Sequence, residues 1–492
     1  MRPIRPLDLA APVPLFGVEA SRRIESLAAA PLPPHALMQR AGLAVARLAM
    51  AVAPHARTVW IACGPGNNGG DGFEAAMHLA RRGWMPVVTF AGDAARLPQD
   101  AAASLQRLRA AGVTLADAPP AHFDLAIDAL LGLGARRAPA GTMAAWLQHL
   151  RAGTAPLLSV DLPSGLDADT GQIAADAAPV VGSAPRFCLS LLTLKPGLFT
   201  AQGRDAAGEV WFDDLGCAPP DTLVPDALLG ARPSALARPH ASHKGSYGDV
   251  AVVGGAEGMA GAAVLAATAA LHAGAGRVFV GLLAPAGAPV GWDMAQPELM
   301  FRAPGTLALD RQAVVCGCGG GEAVRAVLPA VIEQARALVL DADALNALAA
   351  DAALREAVAR RADRGQPTVL TPHPLEAARL AGCSTAELQA DRLRHARELA
   401  GALACTVLLK GSGSVVATPG CAPHVNPTGN ALLATAGTGD VLAGLTGAAL
   451  AAGLPPHEAA AAACWHHGAL ADRWPAGQAL TALALARAAT PG

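Results

Sequence analysis

The residues best equipped for chemistry fall in two clusters. In the first, "CGPGNNGGDG", Asn67, Asn68, Gly69, Gly70 and Asp71 follow an apolar run, "TVWIAC", and precede a helix-like run, "FEAAMHLARRG". Gly64, Gly66 and Gly69 satisfy G-x-G-x-x-G. With an acid about 20 residues further on, a role Asp93 in "FAGD" could fill, this pattern would cradle a dinucleotide. Two asparagines and an aspartate exceed what that task needs. Taken singly they are turn and helix caps. Two further strand ends, however, carry Asp128 in "IDALLGLGARR" and Asp161 with Ser164 in "VDLPSGLDADTG". In an open parallel sheet all three would meet at the carboxyl edge. Oxygen-rich ligands of mixed charge suit a hard cation. In the second cluster, "GTGD", Gly437 and Gly439 let backbone approach a phosphate at the start of a helix, whose free N–H groups face the anion. Asp440 beside it is a poor phosphate ligand. It is well suited to take a proton from a hydroxyl attacking phosphorus, with a plain N-cap as the alternative.

Parallel βαβ units must position these groups. From Val59 to about Val210, strand-like runs ("TVWIAC", "MPVVTFAG", "FDLAIDALLG", "PLLSVDLPSG") alternate with helix-like runs ("DGFEAAMHLARRG", "QDAAASLQRLRAAG", "TMAAWLQHLRAG"). The strands are apolar throughout, as when both sheet faces are covered. A proline-rich passage, Gly216 to His240, is the linker candidate. A second alternating region follows ("YGDVAVVGG", "GRVFVGLL", "QAVVCGCGGG", "ALVLDADALN", "PTVLTPHP", "CTVLLKGSGSVVAT") and ends in alanine-rich helices. The chain is expected to be α/β throughout: a domain over residues 1–218, a linker over 219–238 and a second domain over 239–492.

Composition narrows the partners. The chain has 492 residues, of which 52% are hydrophobic and 15% charged, with a formal net charge of -2. That balance gives no electrostatic case for nucleic acid or an acidic membrane. The nine cysteines include no C-x-x-C pair, and Cys316-x-Cys318 lacks a completing pair for zinc. Reduced thiols and a cytoplasmic location are expected. The N-terminus lacks a signal-peptide core. The glycine-containing stretch around Asp440 fits a core helix better than a membrane span.

"GNNGGDG", "DALLGLG" and "DLPSGLD" together resemble the N-terminal NAD(P)H-hydrate epimerase domain, over roughly the first 215 residues. "HKGSYGDVAVVGG", "DADALN", "TPHPLEAARL", "LLKGSGSVV" and "NPTGNALLATAGTGD" resemble the ADP-dependent NAD(P)H-hydrate dehydratase family, with a ribokinase-like fold. The resemblance implies a Rossmann-like three-layer αβα domain followed by a ribokinase-like αβα domain. It implies epimerisation of hydrated NADH or NADPH, then dehydration of the S form with ADP. Asn67 to Asp71, Gly132, Leu133, Gly134, Ala135, Arg136, Arg137, Ala138 and Asp161 would hold the hydrate in the first domain. Asn68, Asp128 and Ser164 would bind potassium, and Asp128 and Asp161 would supply acid and base. In the second domain Ala262, Gly321, His373 and Asp440 would hold the hydrate. Lys410, Gly411, Ser412, Gly413, Ser414 and Gly439 would bind the nucleotide, with magnesium on its phosphates and Asp440 as the base. The resemblance also implies a homo-oligomer.

The chain departs from the family pattern at several points. Leu133 stands where a threonine is common, "GCGGG" replaces "GPGLG", Leu375 replaces a glycine, and "GAEGMAGA" has methionine in place of tyrosine. Arg136 and Arg137 are open between phosphate contact and a solvated loop. His373 is open between a site role and a structural one. A small-molecule kinase shares the "GTGD" site, and a dehydrogenase or a binding module remains open for the first half.

Overall fold

The computed structural model describes residues 1–134, 138–174, 184–220, 222–234, 238–284, 291 and 293–490. The chain divides into two compact units, Met1–Arg5 with Pro14–Ala227 and Pro6–Val13 with Leu228–Gly492. The division falls within the passage expected as linker. Residues 6–13, expected with the first domain, count with the second unit. The linker passage is also less irregular than expected: its apolar triplet Ala227–Leu229 is a strand, and Leu228 and Leu229 pair with His424 and Val425.

In the first unit, strand Thr58–Cys63 lies between Met85–Phe90 and Leu125–Ala129, all parallel. Strands Leu157–Val160, Arg186–Leu191 and Glu209–Asp213 continue the sheet in parallel. The chain thus runs outward from the central strand in one direction and then returns to its other side. This reversal opens a crevice at the carboxyl ends, between Cys63 and Ala129. Residues Val59 to Cys63 are buried on both faces, which explains the absence of polar alternation. Phe73, Leu48 and Val45 pack on one face of the sheet, and Trp146, Leu147 and Leu150 pack on the other. Each fully buried side chain of this size contributes about 1.5–3 kcal/mol.

The second unit repeats the logic. Strands Met300–Phe301, Arg277–Leu282, Asp249–Gly254, Ala313–Cys316, Ala337–Leu340, Thr368–Leu370 and Thr406–Leu409 are parallel neighbours in that order. Val415–Ala417 then turns back antiparallel on Thr406–Leu409. The reversal lies between Asp249–Gly254 and Ala313–Cys316. Helix Thr438–Ala451 is apolar all round because it is wedged in the core. A Cβ on Gly444 would stand 2.1 Å from the carbonyl oxygen of Ala266, and one on Gly447 would stand 2.5 Å from Val315 Cγ2. The glycines in this stretch therefore serve close packing. Among the described residues no helix is long and apolar enough to cross a membrane.

Gly64 ends the central strand of the first unit against Leu130, whose oxygen would be 1.7 Å from an added Cβ. Neither backbone can yield without opening the crevice. Gly64→Ala is expected to lower the stability of the first unit by about 3 kcal/mol. Urea unfolding of the full chain, followed by Trp fluorescence, checks this. A midpoint equal to the parent's would overturn the packing account.

Candidate functional site

The polar residues of "GNNGGDG" were expected in a loop and instead form the first turn of helix Asn67–Ala80, capped by Gly66. The reason is again close packing. A Cβ on Gly69 would stand 2.0 Å from Gly64 O, and one on Gly70 would stand 2.5 Å from Met38 Sδ. With those faces buried, Asn67, Asn68 and Asp71 are left to line a cavity of about 860 Å³ together with Gly132, Leu133, Gly134 and Asp161. Gly69, Gly70 and Ala138 do not line it. Ala135, Arg136 and Arg137 lie outside the described residues.

Asp161 follows strand Leu157–Val160 with a φ of 65°, a left-handed conformation that is uncommon for a non-glycine residue. Its carboxylate accepts from Leu191 N at 3.1 Å and from the Lys195 ammonium. Lys195 is 1% exposed and also donates to the carbonyls of Leu191 and Thr193, both at 2.9 Å. The ammonium is therefore fully engaged. Asp71 faces the same cavity. Its carboxyl is pushed well above the usual range by burial first, then by the carboxylates of Asp161 and Glu25. Glu25 is raised in the same way, by burial and then by Asp161. The cavity thus holds one carboxylate paired with an ammonium and two carboxyls that burial pushes upward.

Asp128 was expected as an acid/base group beside Asp161. The structure places it behind the cavity wall, 1% exposed. It accepts from Ser164 Oγ at 2.5 Å, Ser164 N at 2.9 Å and Leu130 N at 3.2 Å. Burial raises its carboxyl, and the Ser164 bonds pull it partly back. Among the described residues no ion pair reaches it. Asn68, 92% buried by its 8% exposure, has an Nδ2 with no partner, and its Oδ1 would lie 3.0 Å from a Cβ on Gly132. The Asp128 carboxylate, the Ser164 hydroxyl and the Asn68 Oδ1 are oxygen ligands of the kind a monovalent cation takes, whereas the Asn68 Nδ2 donor calls for an acceptor such as a substrate oxygen.

In the second unit, five strand ends converge. Asp341 Oδ1 accepts from Lys410 Nζ at 2.7 Å, and Asp341 is 2% exposed. Asp440 is in the first turn of helix Thr438–Ala451, after Gly437 with a φ of 87°. The N–H groups of that turn have no helical carbonyl to receive them. His467 holds the turn by donating from Nε2 to Thr438 O at 2.9 Å; burial lowers this imidazole to about 4, so it is neutral. A Cβ on Gly439 would stand 3.4 Å from Lys410 Nζ, so the ammonium lies beside the helix start. Burial, and then Asp341, raise Asp440 to about 6. Burial lowers Lys410, but Asp341 and Glu376 outweigh it, so the ammonium stays charged.

The turn Lys410–Ser414 joins the two antiparallel strands. Gly411 has a φ of 140°, and Arg392 donates to the Leu409 and Lys410 carbonyls at 3.2 and 3.1 Å, bracing the turn from below. Ser414 Oγ bonds Gly411 at 3.1 and 3.2 Å. Gly321 N donates to Asp343 Oδ2 at 2.8 Å, while Met259 sits against Gly319 and Gly321 with Ala262 alongside. His373 caps helix Pro374–Ala381. Its Nδ1 accepts from Leu375 N at 3.1 Å, and its Nε2 is 3.2 Å from Glu376 Oε1. Both ring nitrogens are engaged in its own helix, which accounts for the residue structurally. Its partly exposed ring face remains.

Lys195, Glu25, Cys318 and Glu376 were missed from the sequence. A lysine inside the apolar run "SLLTLKPGLF" was a visible signal for Lys195. Asp341 stood in "DADALN", one of the stretches that carry the resemblance to the dehydratase family. Nothing in spacing marked Cys318.

Residues 34–197 match the model of the family described as YjeF-related protein N-terminus, and residues 250–490 match the one described as NAD(P)H-hydrate dehydratase. The Escherichia coli K12 protein named bifunctional NAD(P)H-hydrate repair enzyme Nnr is 36% identical over 463 residues, 89% of this chain and 84% of that one. The Neisseria meningitidis protein named ADP-dependent (S)-NAD(P)H-hydrate dehydratase is 44% identical over 243 residues, 48% of this chain and 80% of that one. A Bacillus subtilis structure described as ADP/ATP-dependent NAD(P)H-hydrate dehydratase co-crystallised with ATP/Mg2+ is 30% identical with a TM-score of 0.42, over 51% of this chain and 91% of that one.

Lys195→Met would leave Asp161 largely buried without its cation. Stability at neutral pH is expected to fall by about 3 kcal/mol. Denaturant unfolding at pH 7 checks it, and a loss under about 1 kcal/mol would show that water already screens the pair.

Proposed function

Because the chain belongs to the bifunctional NAD(P)H-hydrate repair enzymes, we propose how its two cavities divide the work, residue by residue. The first unit carries the epimerase activity and the second the ADP-dependent dehydratase activity. In the first, the hydrate lies along Asn67, Asn68, Asp71 and the Gly132–Gly134 turn. Inverting a hydroxyl-bearing carbon needs one group to give a proton and one to take it. Asp161, held by Lys195, is the base, and Asp71, whose carboxyl burial pushes well up, holds the proton. The different surroundings of the two carboxyls, one on an ammonium and one buried among other acids, support that assignment. Asp128 is reassigned from acid/base work to cation binding, since it does not face the cavity. Asn68, Asp128 and Ser164 would hold potassium, which when bound supplies a positive charge beside Asp128 in addition to the Arg151 guanidinium on Ser164 O.

In the second unit, Lys410 to Ser414 and Gly439 hold the nucleotide, and the start of helix Thr438–Ala451 faces its phosphates. Magnesium enters as the magnesium–nucleotide substrate. The nearest carboxylates form no oxygen cage, because Asp341 is committed to Lys410 and a thiol stands beside Asp440. Ala262, Gly321 and the exposed face of His373 border the hydrate. Hydroxide is a poor leaving group. Asp440 takes the proton of the hydrate hydroxyl as its oxygen attacks the β-phosphorus of ADP, and AMP leaves. The ring nitrogen's lone pair then expels phosphate, a proton leaves the adjacent carbon, and the dihydronicotinamide is restored. The observation that carries this reading is Asp440 at a helix N-terminus, beside a lysine already bound to another carboxylate. A homo-oligomer in the cytoplasm belongs to the same proposal, and light scattering checks the assembly.

The test mixes both NADH-hydrate epimers with protein, ADP, magnesium and potassium, and follows return of the reduced nicotinamide absorbance. Full recovery with inorganic phosphate release is expected. Recovery of the S fraction alone would remove the epimerase role, and retained phosphorylated product would make the second unit a kinase. Asp440→Asn is expected to lower dehydratase kcat at least about 100-fold with folding intact. A base must be ionised, so kcat/KM for dehydration should fall about tenfold per unit below a midpoint near pH 6. A rate independent of pH from 5 to 8, about the window spanned, would remove Asp440 as the base. Asp128→Asn, or replacing potassium by a large organic cation, should slow R-to-S conversion and leave dehydration of the S form unchanged. Equal epimerisation in both media would overturn the cation assignment.

A further inference from the structure

We propose that Cys318 is a positioning residue for Asp440: its thiol donates the hydrogen bond that holds the carboxylate aimed at the hydrate hydroxyl. The proposal rests on the reading of Asp440 as the base. The Sγ of Cys318 and a carboxylate oxygen of each of Asp341 and Asp440 all lie within 4.8 Å of one another. That spacing, with the thiol fully buried and facing a carboxylate, is what a weak S–H···O bond to Asp440 needs. Among the described residues no cation lies within ion-pair distance of Asp440.

The thiol has little freedom to leave. Cys318 is 0% exposed, and its carbonyl accepts from Gly255 N at 2.9 Å. Gly254 approaches so closely that a Cβ there would be 2.3 Å from Cys318 O. Gly317 and Gly319, on either side, have φ of 118° and 58°. Backbone shape therefore fixes the Cα–Cβ direction, and full burial leaves the thiol little room to change rotamer.

The charges around Asp440 come from several elements. Asp341 and Asp343, at and after the end of strand Ala337–Leu340, repel it. Lys410, after strand Thr406–Leu409, attracts it but is bound to Asp341, and Glu376 competes for the same ammonium. His467, behind the helix turn, is neutral. Repulsion from Asp341 favours turning the carboxylate away or protonating it. Cys318 opposes both. Burial, and then Asp440 and Asp341, keep the thiol protonated, so it is always the donor. A hydrogen bond to the ionised form favours that form.

The experiment compares full-length parent, Cys318→Ala, Cys318→Ser and Asp440→Asn. It measures S-hydrate dehydration from pH 5 to 8, kcat, and KM for ADP, with melting temperature as the folding control. In Cys318→Ala the acidic midpoint of kcat/KM should rise by about 0.5–1 unit. Its kcat at neutral pH should fall about threefold to tenfold, with KM for ADP within about twofold of the parent. Cys318→Ser, which keeps a donor, should restore the midpoint toward the parent, and it tests the idea alone should Cys318→Ala not fold. An unmoved midpoint in Cys318→Ala, or a Cys318→Ser midpoint raised as far as alanine's, overturns the positioning role while an inactive Asp440→Asn leaves the base assignment standing. Full turnover by Asp440→Asn overturns the base assignment itself.

Discussion

A carboxylate removed from water at the end of a strand needs a cation or several donors, and each unit solves this with one buried lysine. Lys195 holds Asp161, and Lys410 holds Asp341. In both cases the lysine follows a later strand than the aspartate does, so the pair forms only when the parallel sheet is complete. The pairing costs desolvation on both sides. Its return is positional: one carboxylate oxygen is fixed at a set point in each crevice. Without Lys195, the cluster of Asp71, Glu25 and Asp161 would carry charge that the cavity cannot solvate. Without Lys410, Asp341 and Asp440 would face each other bare.

The second constraint is distance between backbones. Gly64 against Leu130, Gly69 against Gly64, Gly444 against Ala266 and Gly317 against Asp341 O all leave less than 2.5 Å for a Cβ. These contacts draw strand ends and helix starts together, so the polar residues between the glycines have one direction left, into the cavity. Glycine in "GNNGGDG" and in "GTGD" therefore does two jobs. It permits the approach, and it selects which neighbours become the site.

Much of this was legible in the chain itself. Uninterrupted apolar runs ending in Asp128, Asp161 and Asp341 gave away parallel strands and their functional edge, because burial on both faces removes polar alternation. Helix-like runs fell where helices stand. Three points were not legible. Helix Asn67–Ala80 begins four residues before Asp71, because two glycines that weaken a helix in isolation are required by packing here. Asp128 and Asp161 look equivalent as strand-end acids, yet Asp128 lies inside its strand, level with Ser159, while Asp161 follows its strand in a left-handed conformation, which puts Asp128 behind the wall and Asp161 on it. Cys318 carries no spacing signal at all, since its relation to Asp440 spans 122 positions (440 − 318) and exists only in the folded sheet.

The same geometry explains why a base near 6 suits the second site. A carboxylate at the usual value, near 4, is ionised but weakly basic, and it draws a hydroxyl proton poorly. Burial beside Asp341 strengthens Asp440 as a base by destabilising its charge. Carried further, the same effect would leave it protonated at neutral pH and useless. Lys410 and Cys318 limit it from two sides, one by charge through Asp341 and one by a direct hydrogen bond. At pH 7 a group near 6 is still about nine-tenths ionised. The position of Asp440 on that scale is thus a balance among three strand ends, each fixed by backbone contacts that tolerate no added atom.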